Sequence, residues 1–285
     1  MIVPAATSQG LAASLAAETG ESLAPVEYRR FPDGELLVEV PNVEDRVVIV
    51  GSTISSDAHL QVLQLQDAVR EAGASTVVTV IPYMGYARQD EAFKAGQPVS
   101  ARAVARALST GTDRVLTVNP HETAVCDFFS VPAHPVDAAG LLADPLPADL
   151  TDPVFVSPDE GALDLAKRVR DGYGHGDTDF FEKRRDRATG EVSITPSEVA
   201  VDGRDVIVVD DIIATGSTMS DAIDILQGRG PDRVFVATVH PLLTENARTK
   251  LETTGVEAIY GTDTIERPVS TVSVAPALAR VLEEV

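Results

Sequence analysis

Runs of consecutive apolar, mostly β-branched residues recur along this chain at 47–50, 76–81, 114–118, 154–157, 205–209 and 234–239. A strand with one wet face alternates apolar and polar side chains, so unbroken runs predict strands buried on both faces of a parallel sheet. Between them, apolar positions take helical spacing at 58–72, 100–108, 161–170, 219–226, 245–253 and 276–284. A short helix is expected after His121, and short strands near 179–181 and 257–260. Strand and helix in alternation predict an α/β protein of βαβ units. The scheme runs twice, although no residue-level repeat is evident. A Pro- and Ala-rich stretch at 139–153 separates the halves, and the expected division is 1–145 and 146–285. Residues 184–196 are polar and charged, and predict a mobile loop or flap.

One segment carries candidate chemistry. The strand at 206–209 ends in Asp210-Asp211, and Ala214-Thr215-Gly216-Ser217-Thr218 then open the next helix. Backbone N–H groups and hydroxyls converging at a helix N-terminus favour a phosphate dianion. Carboxylates at the other end of the segment repel phosphate but accept hydrogen bonds from vicinal sugar hydroxyls. That order suits a ribose phosphate. Taken alone, the acidic pair is equally well read as a strand followed by an Asp/Thr helix cap.

The segment resembles the 5-phosphoribosyl-binding loop shared by type I phosphoribosyltransferases and ribose-phosphate pyrophosphokinases (PRPP synthetases). Further motifs, in matching order, favour the second family: Arg30-Phe31-Pro32-Asp33-Gly34-Glu35, Tyr83-Met84-Gly85-Tyr86-Ala87-Arg88-Gln89-Asp90, Asn119-Pro120-His121-Glu122, Val156-Ser157-Pro158-Asp159-Glu160-Gly161 and Glu182-Lys183-Arg184-Arg185. The resemblance covers essentially the whole chain and implies two type I phosphoribosyltransferase-like domains, each a mainly parallel sheet flanked by helices. The first would carry the ATP-side motifs; the second would carry the ribose 5-phosphate loop and the flap, with the last helix able to pack on the first domain. It implies transfer of the diphosphoryl group of ATP to the anomeric hydroxyl of ribose 5-phosphate, giving AMP and PRPP.

The resemblance also distributes roles. Phe31, Asp33, Gly34, Glu35, Arg88, Gln89 and His121 would bind ATP. Asp210, Asp211, Ala214, Thr215, Gly216, Ser217 and Thr218, with Arg185, would bind ribose 5-phosphate. Lys183 and Arg185 would be catalytic, closing over the phosphates. Mg²⁺ would be held by Asp159 and His121, the latter either ligating metal or contacting a phosphate oxygen. Plainer readings stand beside these: Pro32-Asp33-Gly34 is a strong β-turn signal, a lone loop arginine is usually a solvated charge, and a lone histidine is usually structural. Two functional alternatives are a phosphoribosyltransferase consuming PRPP and a non-catalytic, nucleotide-binding regulatory homologue. The family further implies a homo-oligomer, with a dimer as the minimal unit and tetramer or hexamer open.

Some positions depart from the family pattern. Ala214 stands where aspartate is frequent, Ser217 where glycine is common, and Asn119 where bacterial and animal members have aspartate beside the histidine. Residues 90–98 lack the basic character of bacterial members. Together these point to an archaeal, haloarchaeal type, for which the resemblance does not by itself imply phosphate activation or ADP inhibition.

Composition changes the picture in one respect. The formal net charge is −21 over 285 residues, with lysine only at Lys94, Lys167, Lys183 and Lys250. Acid excess with lysine poverty keeps proteins soluble in molar salt, so a halophilic source is expected, and a nucleic-acid surface is disfavoured. No apolar run reaches a membrane span and no signal-peptide pattern follows Met1, so a cytoplasmic protein without a membrane partner is expected. The single Cys126 has no disulfide partner and is read as a buried structural thiol.

Overall fold

The computed structural model describes residues 1–185, 192–195 and 199–284, and the chain packs as two compact units. Unit 1 comprises residues 1–137, 263–266 and 273–285; unit 2 comprises residues 138–262 and 267–272. The Pro- and Ala-rich stretch beginning at Ala139, read from sequence as containing the boundary, therefore belongs to unit 2. Its 3-10 turn Ala139–Ala143 packs on the helix that follows, where the Gly140 carbonyl would lie 2.5 Å from any Cβ at Gly172.

Unit 1 contains β1 (Ile2–Pro4), α1 (Gln9–Thr19), β2 (Glu27–Arg30), β3 (Leu36–Glu39), β4 (Arg46–Val50), α2 (Ser56–Glu71), β5 (Thr76–Ile81), α3 (Ser100–Leu108), β6 (Arg114–Val118) and β7 (Ala133–Val136). Five strands form a parallel sheet in the order β1-β4-β5-β6-β7, and β2 and β3 form a separate antiparallel hairpin. The apolar runs behave as their composition requires. Val47, Val48, Ile49 and Val50 are all fully buried; Val47 and Ile49 pack with Val62, Leu65 and Val69 of α2, while Val48 and Val50 serve the opposite face.

Unit 2 contains β8 (Val154–Ser157), α4 (Leu163–Tyr173), β9 (Asp177–Phe180), β10 (Glu182–Arg185), β11 (Val192–Thr195), β12 (Asp205–Ile212), α5 (Ser217–Gln227), β13 (Arg233–His240), α6 (Ala247–Glu252), β14 (Ala258–Thr262) and β15 (Ser270–Val272). Its six-stranded parallel sheet has the order β15-β14-β13-β12-β8-β9. The chain steps outward from β8 to β9, then returns to the other side of β8 as β12. The order in which strands are added therefore reverses between β8 and β12, and ligands of such sheets bind beyond the C-terminal strand ends at that reversal. The last helix, α7 (Ala275–Glu284), belongs to unit 1 and packs on α1.

Several elements were not anticipated. β1, β7 and β15 are too short to show a period, and α1 is an Ala-rich helix with Leu11, Ala12, Leu15 and Ala16 buried. The stretch 184–196, read as a loop, instead includes paired strand: Glu182↔Thr195, Lys183↔Ile194, Arg184↔Ser193 and Arg185↔Val192. The rest of that expectation, at 186–191 and 196, lies outside the described residues. Cys126 is half-buried rather than buried; burial, with Asp127 beside it, pushes the thiol up to about 11, so it stays protonated at neutral pH. At the base of unit 2 the fully buried Asp205 accepts from Arg233 at 2.7 and 2.9 Å and from the Thr151 N–H at 2.6 Å. Burial alone would raise this carboxyl, but those bonds outweigh it and hold it below its ordinary value. Among the described residues no helix is long and apolar enough to cross a membrane.

Candidate active site

The acidic pair of unit 2 lies inside β12 rather than beyond it, since pairing continues to Asp210↔Thr238 and Ile212↔His240. Each carboxylate accepts the N–H of the next residue, Asp211 N–H to Asp210 at 2.9 Å and Ile212 N–H to Asp211 at 2.8 Å. Thr238 Oγ1 braces the Asp211 carbonyl at 3.2 Å. Across the reversal, β8 ends at Ser157, whose hydroxyl donates to the Asp159 carbonyl at 2.7 Å. Burial, then Asp211, then Asp159 raise the Asp210 carboxyl well above the usual carboxylate range. Three acidic side chains thus gather at the place where the sheet topology puts a ligand.

The turn into α5 is built by its neighbours. The Leu243 and Thr244 N–H groups donate to the Ile213 and Ala214 carbonyls at 2.8 and 3.0 Å, and Ile213 N–H donates to His240 at 3.2 Å. Gly216 caps α5 in the left-handed region, φ 71°, with Ala247 3.4–3.6 Å from where a Cβ would stand. Glycine alone adopts that conformation freely. Among the described residues no side chain caps the helix, so the first-turn N–H groups are left for a ligand. Thr215 and Ser217 are exposed and Thr218 half-buried. Ser217 Oγ and the Thr215 carbonyl both accept from Lys250 Nζ, at 2.8 and 3.2 Å. Sequence reading missed Lys250, and the scarcity of lysine was the only signal that marked it.

Lys183 and Arg185 lie on β10, which starts directly after Phe181, and the Phe181 N–H donates to the Ser157 carbonyl at 3.0 Å. The backbone of β10 therefore departs from the C-terminal end of β8, next to the Asp159 segment.

In unit 1, Arg30-Phe31-Pro32-Asp33-Gly34-Glu35 is the tip of the β2–β3 hairpin. Gly34 has φ 95°, its N–H donates to the Phe31 carbonyl at 2.9 Å, and Asp33 Oδ1 accepts the Glu35 N–H at 3.1 Å. The turn reading thus holds, with Phe31, Asp33, Gly34 and Glu35 all exposed. The second segment, 83–89, is laced to the loop after β4: the Gly85 N–H donates to Thr53 Oγ1 at 2.9 Å, and a Cβ at Gly85 would lie 2.1 Å from the Thr53 carbonyl. Tyr86 follows at φ 65°. Arg88 is exposed, while Gln89 Oε1 accepts from Ser100 at 2.5 Å, so that end of the Gln89 amide is engaged in starting α3.

The first turn of α2 brings these two segments together. Asp57 pairs with Arg30 of the hairpin, Ser56 Oγ is 3.5 Å from Tyr86 Oη, and the His59 ring lies 5.4 Å from the Tyr86 ring. Burial lowers His59 to about 4, so it packs there as neutral imidazole. At the end of β6, Asn119 takes φ 34° and donates to Asp137 Oδ1 at 2.8 Å; His121 is exposed two residues on. His121 and Asp159 belong to different units.

Among the described residues no group of three or more His, Cys, Asp or Glu side chains could by itself hold a metal. Mg²⁺ commonly takes one or two carboxylates together with water and substrate phosphate. Asp159 is one such carboxylate, and it stands close enough to Asp210 to help raise that carboxyl, so an oxygen donor of the required kind is present at this end of the sheet.

Comparison with known proteins accounts for both units. A family model described as the N-terminal domain of ribose phosphate pyrophosphokinase matches residues 1–111, and one for the phosphoribosyl transferase domain matches residues 137–276. A ribose-phosphate pyrophosphokinase of Halobacterium salinarum is 65% identical over 284 residues, covering 99% of this chain and 100% of that protein. One from Methanopyrus kandleri is 44% identical, covering 98% and 97%. The crystal structure of phosphoribosylpyrophosphate synthetase from Mycobacterium smegmatis matches with a TM-score of 0.84 at 28% identity, over 99% of this chain and 97% of that one. Two phosphoribosyltransferase-type units, the motifs placed on them and relatives matching from end to end agree: this chain belongs to the ribose-phosphate pyrophosphokinase family.

Proposed function

We propose that this chain is a ribose-phosphate diphosphokinase, converting ATP and ribose 5-phosphate into AMP and PRPP by in-line attack of the anomeric hydroxyl on the β-phosphorus. The observation that carries the reading is the left-handed Gly216 turn opening α5 after the Asp210-Asp211 pair, in a chain matching named pyrophosphokinases over its whole length. The first-turn amides of α5, with Thr215, Ser217 and Thr218, take the 5-phosphate. Asp210 and Asp211 accept from the ribose hydroxyls and so fix the sugar's rotation. Phe31 offers an aromatic face to adenine, Asp33, Gly34 and Glu35 meet its edge, and Arg88, Gln89 and His121 contact the nucleotide. Lys183 and Arg185 stabilise charge on the diphosphoryl group as it moves. Phosphoryl chemistry of this kind needs placement and charge stabilisation more than covalent catalysis. Asp159, and His121 in the nucleotide site, would hold Mg²⁺, which would supply neutralisation of the phosphate charge when bound.

Product analysis tests this reading. Purified protein with Mg²⁺, ATP and ribose 5-phosphate in molar KCl is expected to form AMP and PRPP in equal amounts and no ADP. ADP would indicate an ordinary γ-phosphoryl kinase, PRPP consumption with a base a transferase, and no turnover a regulatory homologue.

The proposal extends to a halophilic, cytoplasmic homo-oligomer with a dimer as minimal unit. With a net charge of −21, surface carboxylates repel one another at low ionic strength and the compact state concentrates that repulsion. The melting temperature is expected to rise from dilute buffer to molar KCl, where the Debye length falls to about 3 Å. Equal stability in dilute buffer, read by scanning calorimetry, would remove the halophilic reading alone.

A further inference from the structure

Lys250 has no part in the roles assigned above, yet it is built into the loop that carries them. It projects from α6, whose N-terminal residue Ala247 packs against Gly216, with Ala247 atoms 3.4–3.6 Å from where a Gly216 Cβ would stand. Ala247 and Lys250 are three residues apart and share one face of the helix. The contact that seats Ala247 under the turn therefore delivers the ammonium to Ser217 Oγ and the Thr215 carbonyl. Among the described residues Lys250 meets no carboxylate at ion-pair distance, whereas Lys167 is paired with Asp164 at 2.9 Å. In a chain with four lysines and a net charge of −21, the Lys250 ammonium thus meets neutral acceptors on the loop, the Ser217 hydroxyl and the Thr215 carbonyl.

The chemistry of the pair has a direction. An ammonium only donates, so the Ser217 hydroxyl accepts from it and keeps its own proton to give elsewhere. A hydroxyl polarised in this way is a stronger donor to the next acceptor in the chain of bonds. Ser217 is the first residue of α5, where the open N–H groups already favour an anion. The loop thus has a cationic end at Ser217 and an anionic end at Asp210-Asp211, which orients a molecule carrying phosphate at one end and hydroxyls at the other.

We propose that Lys250 is a positioning residue for the 5-phosphate of ribose 5-phosphate, acting through the Ser217 hydroxyl and the Thr215 carbonyl. This rests on the reading of residues 214–218 as the ribose-phosphate loop. It also gives Ser217 a purpose, since glycine at 217 would remove the nearer of the two acceptors that hold the lysine.

Titration calorimetry in molar KCl with Mg²⁺ tests the assignment on wild type, Lys250→Met, Lys250→Arg, Ser217→Ala and the Lys250→Met/Ser217→Ala double variant. Lys250→Met is expected to weaken ribose 5-phosphate about tenfold or more, the lower end for a hydrogen bond involving a charged group, with ATP affinity and melting temperature unchanged. Lys250→Arg should recover most of the loss. Ser217→Ala should lose a similar amount, and the double variant should be little worse than either single one. Unaltered ribose 5-phosphate affinity in Lys250→Met, or an equal loss for ATP, would overturn the proposal. The readout is binding, so wild type that binds ribose 5-phosphate without making PRPP would defeat the proposed reaction and leave this result to be judged on its own.

Discussion

Replacing Lys183 or Arg185 by alanine is expected to lower kcat by roughly 10²-fold or more, the loss typical when one preorganised group that stabilises transition-state charge is removed. Both residues lie on β10, two and four positions respectively beyond Phe181, whose N–H ties the chain to the end of β8 at the Ser157 carbonyl. The pairing of β10 with β11 places Lys183 opposite Ile194 and Arg185 opposite Val192, so both stand on regular backbone. Charges proposed to act once the site has closed contribute to the transition state more than to the ground state. Dissociation constants for ATP and ribose 5-phosphate should therefore move much less than kcat. Single-turnover rates and equilibrium binding measured on the same preparations separate the two effects. A variant retaining near wild-type kcat would remove that residue from the mechanism.

Asp210 is expected to show opposite effects on stability and on substrate binding. Its carboxyl is raised in the folded protein by burial and by Asp211 and Asp159, so the protonated form is the comfortable one. A group raised on folding contributes stability below its unfolded value, about 4 for aspartate, and that contribution is lost as pH rises through the folded value. Asp210→Asn carries no charge at any pH. In EDTA and without substrate, its melting temperature should match wild type near pH 4 and exceed it increasingly toward neutrality. Asp210→Ala, in turn, removes an acceptor for a ribose hydroxyl and should weaken ribose 5-phosphate by about 1.5–3 kcal/mol while ATP binding holds. Equal melting temperatures across the pH range would contradict the crowding of carboxylates, and equal weakening of both substrates would contradict the division of the site.

Much of this protein is legible in the order of its amino acids. The runs at 76–81, 114–118 and 154–157 and the helix at 100–108 coincide with observed elements, because a strand buried on both faces must be apolar throughout and a helix covering it must be apolar on one side. The motifs that suggested the family did so through local order alone: strand, carboxylates, glycine turn, helix. Local order could not say that β12 returns beside β8. Only that crossover sets Asp159 near Asp210 and lifts its carboxyl, since residues fifty apart in the chain interact through strand pairing that no short window contains. β1, β7 and β15 were invisible for the same reason, being too short to carry a period and existing as strands only where a longer neighbour supplies hydrogen-bond partners. Lys250 shows the limit most plainly. Its spacing from Ala247 was readable as one helical turn, but its use depends on α6 lying against Gly216. That is a packing decision made between elements, and the sequence by itself determined the elements.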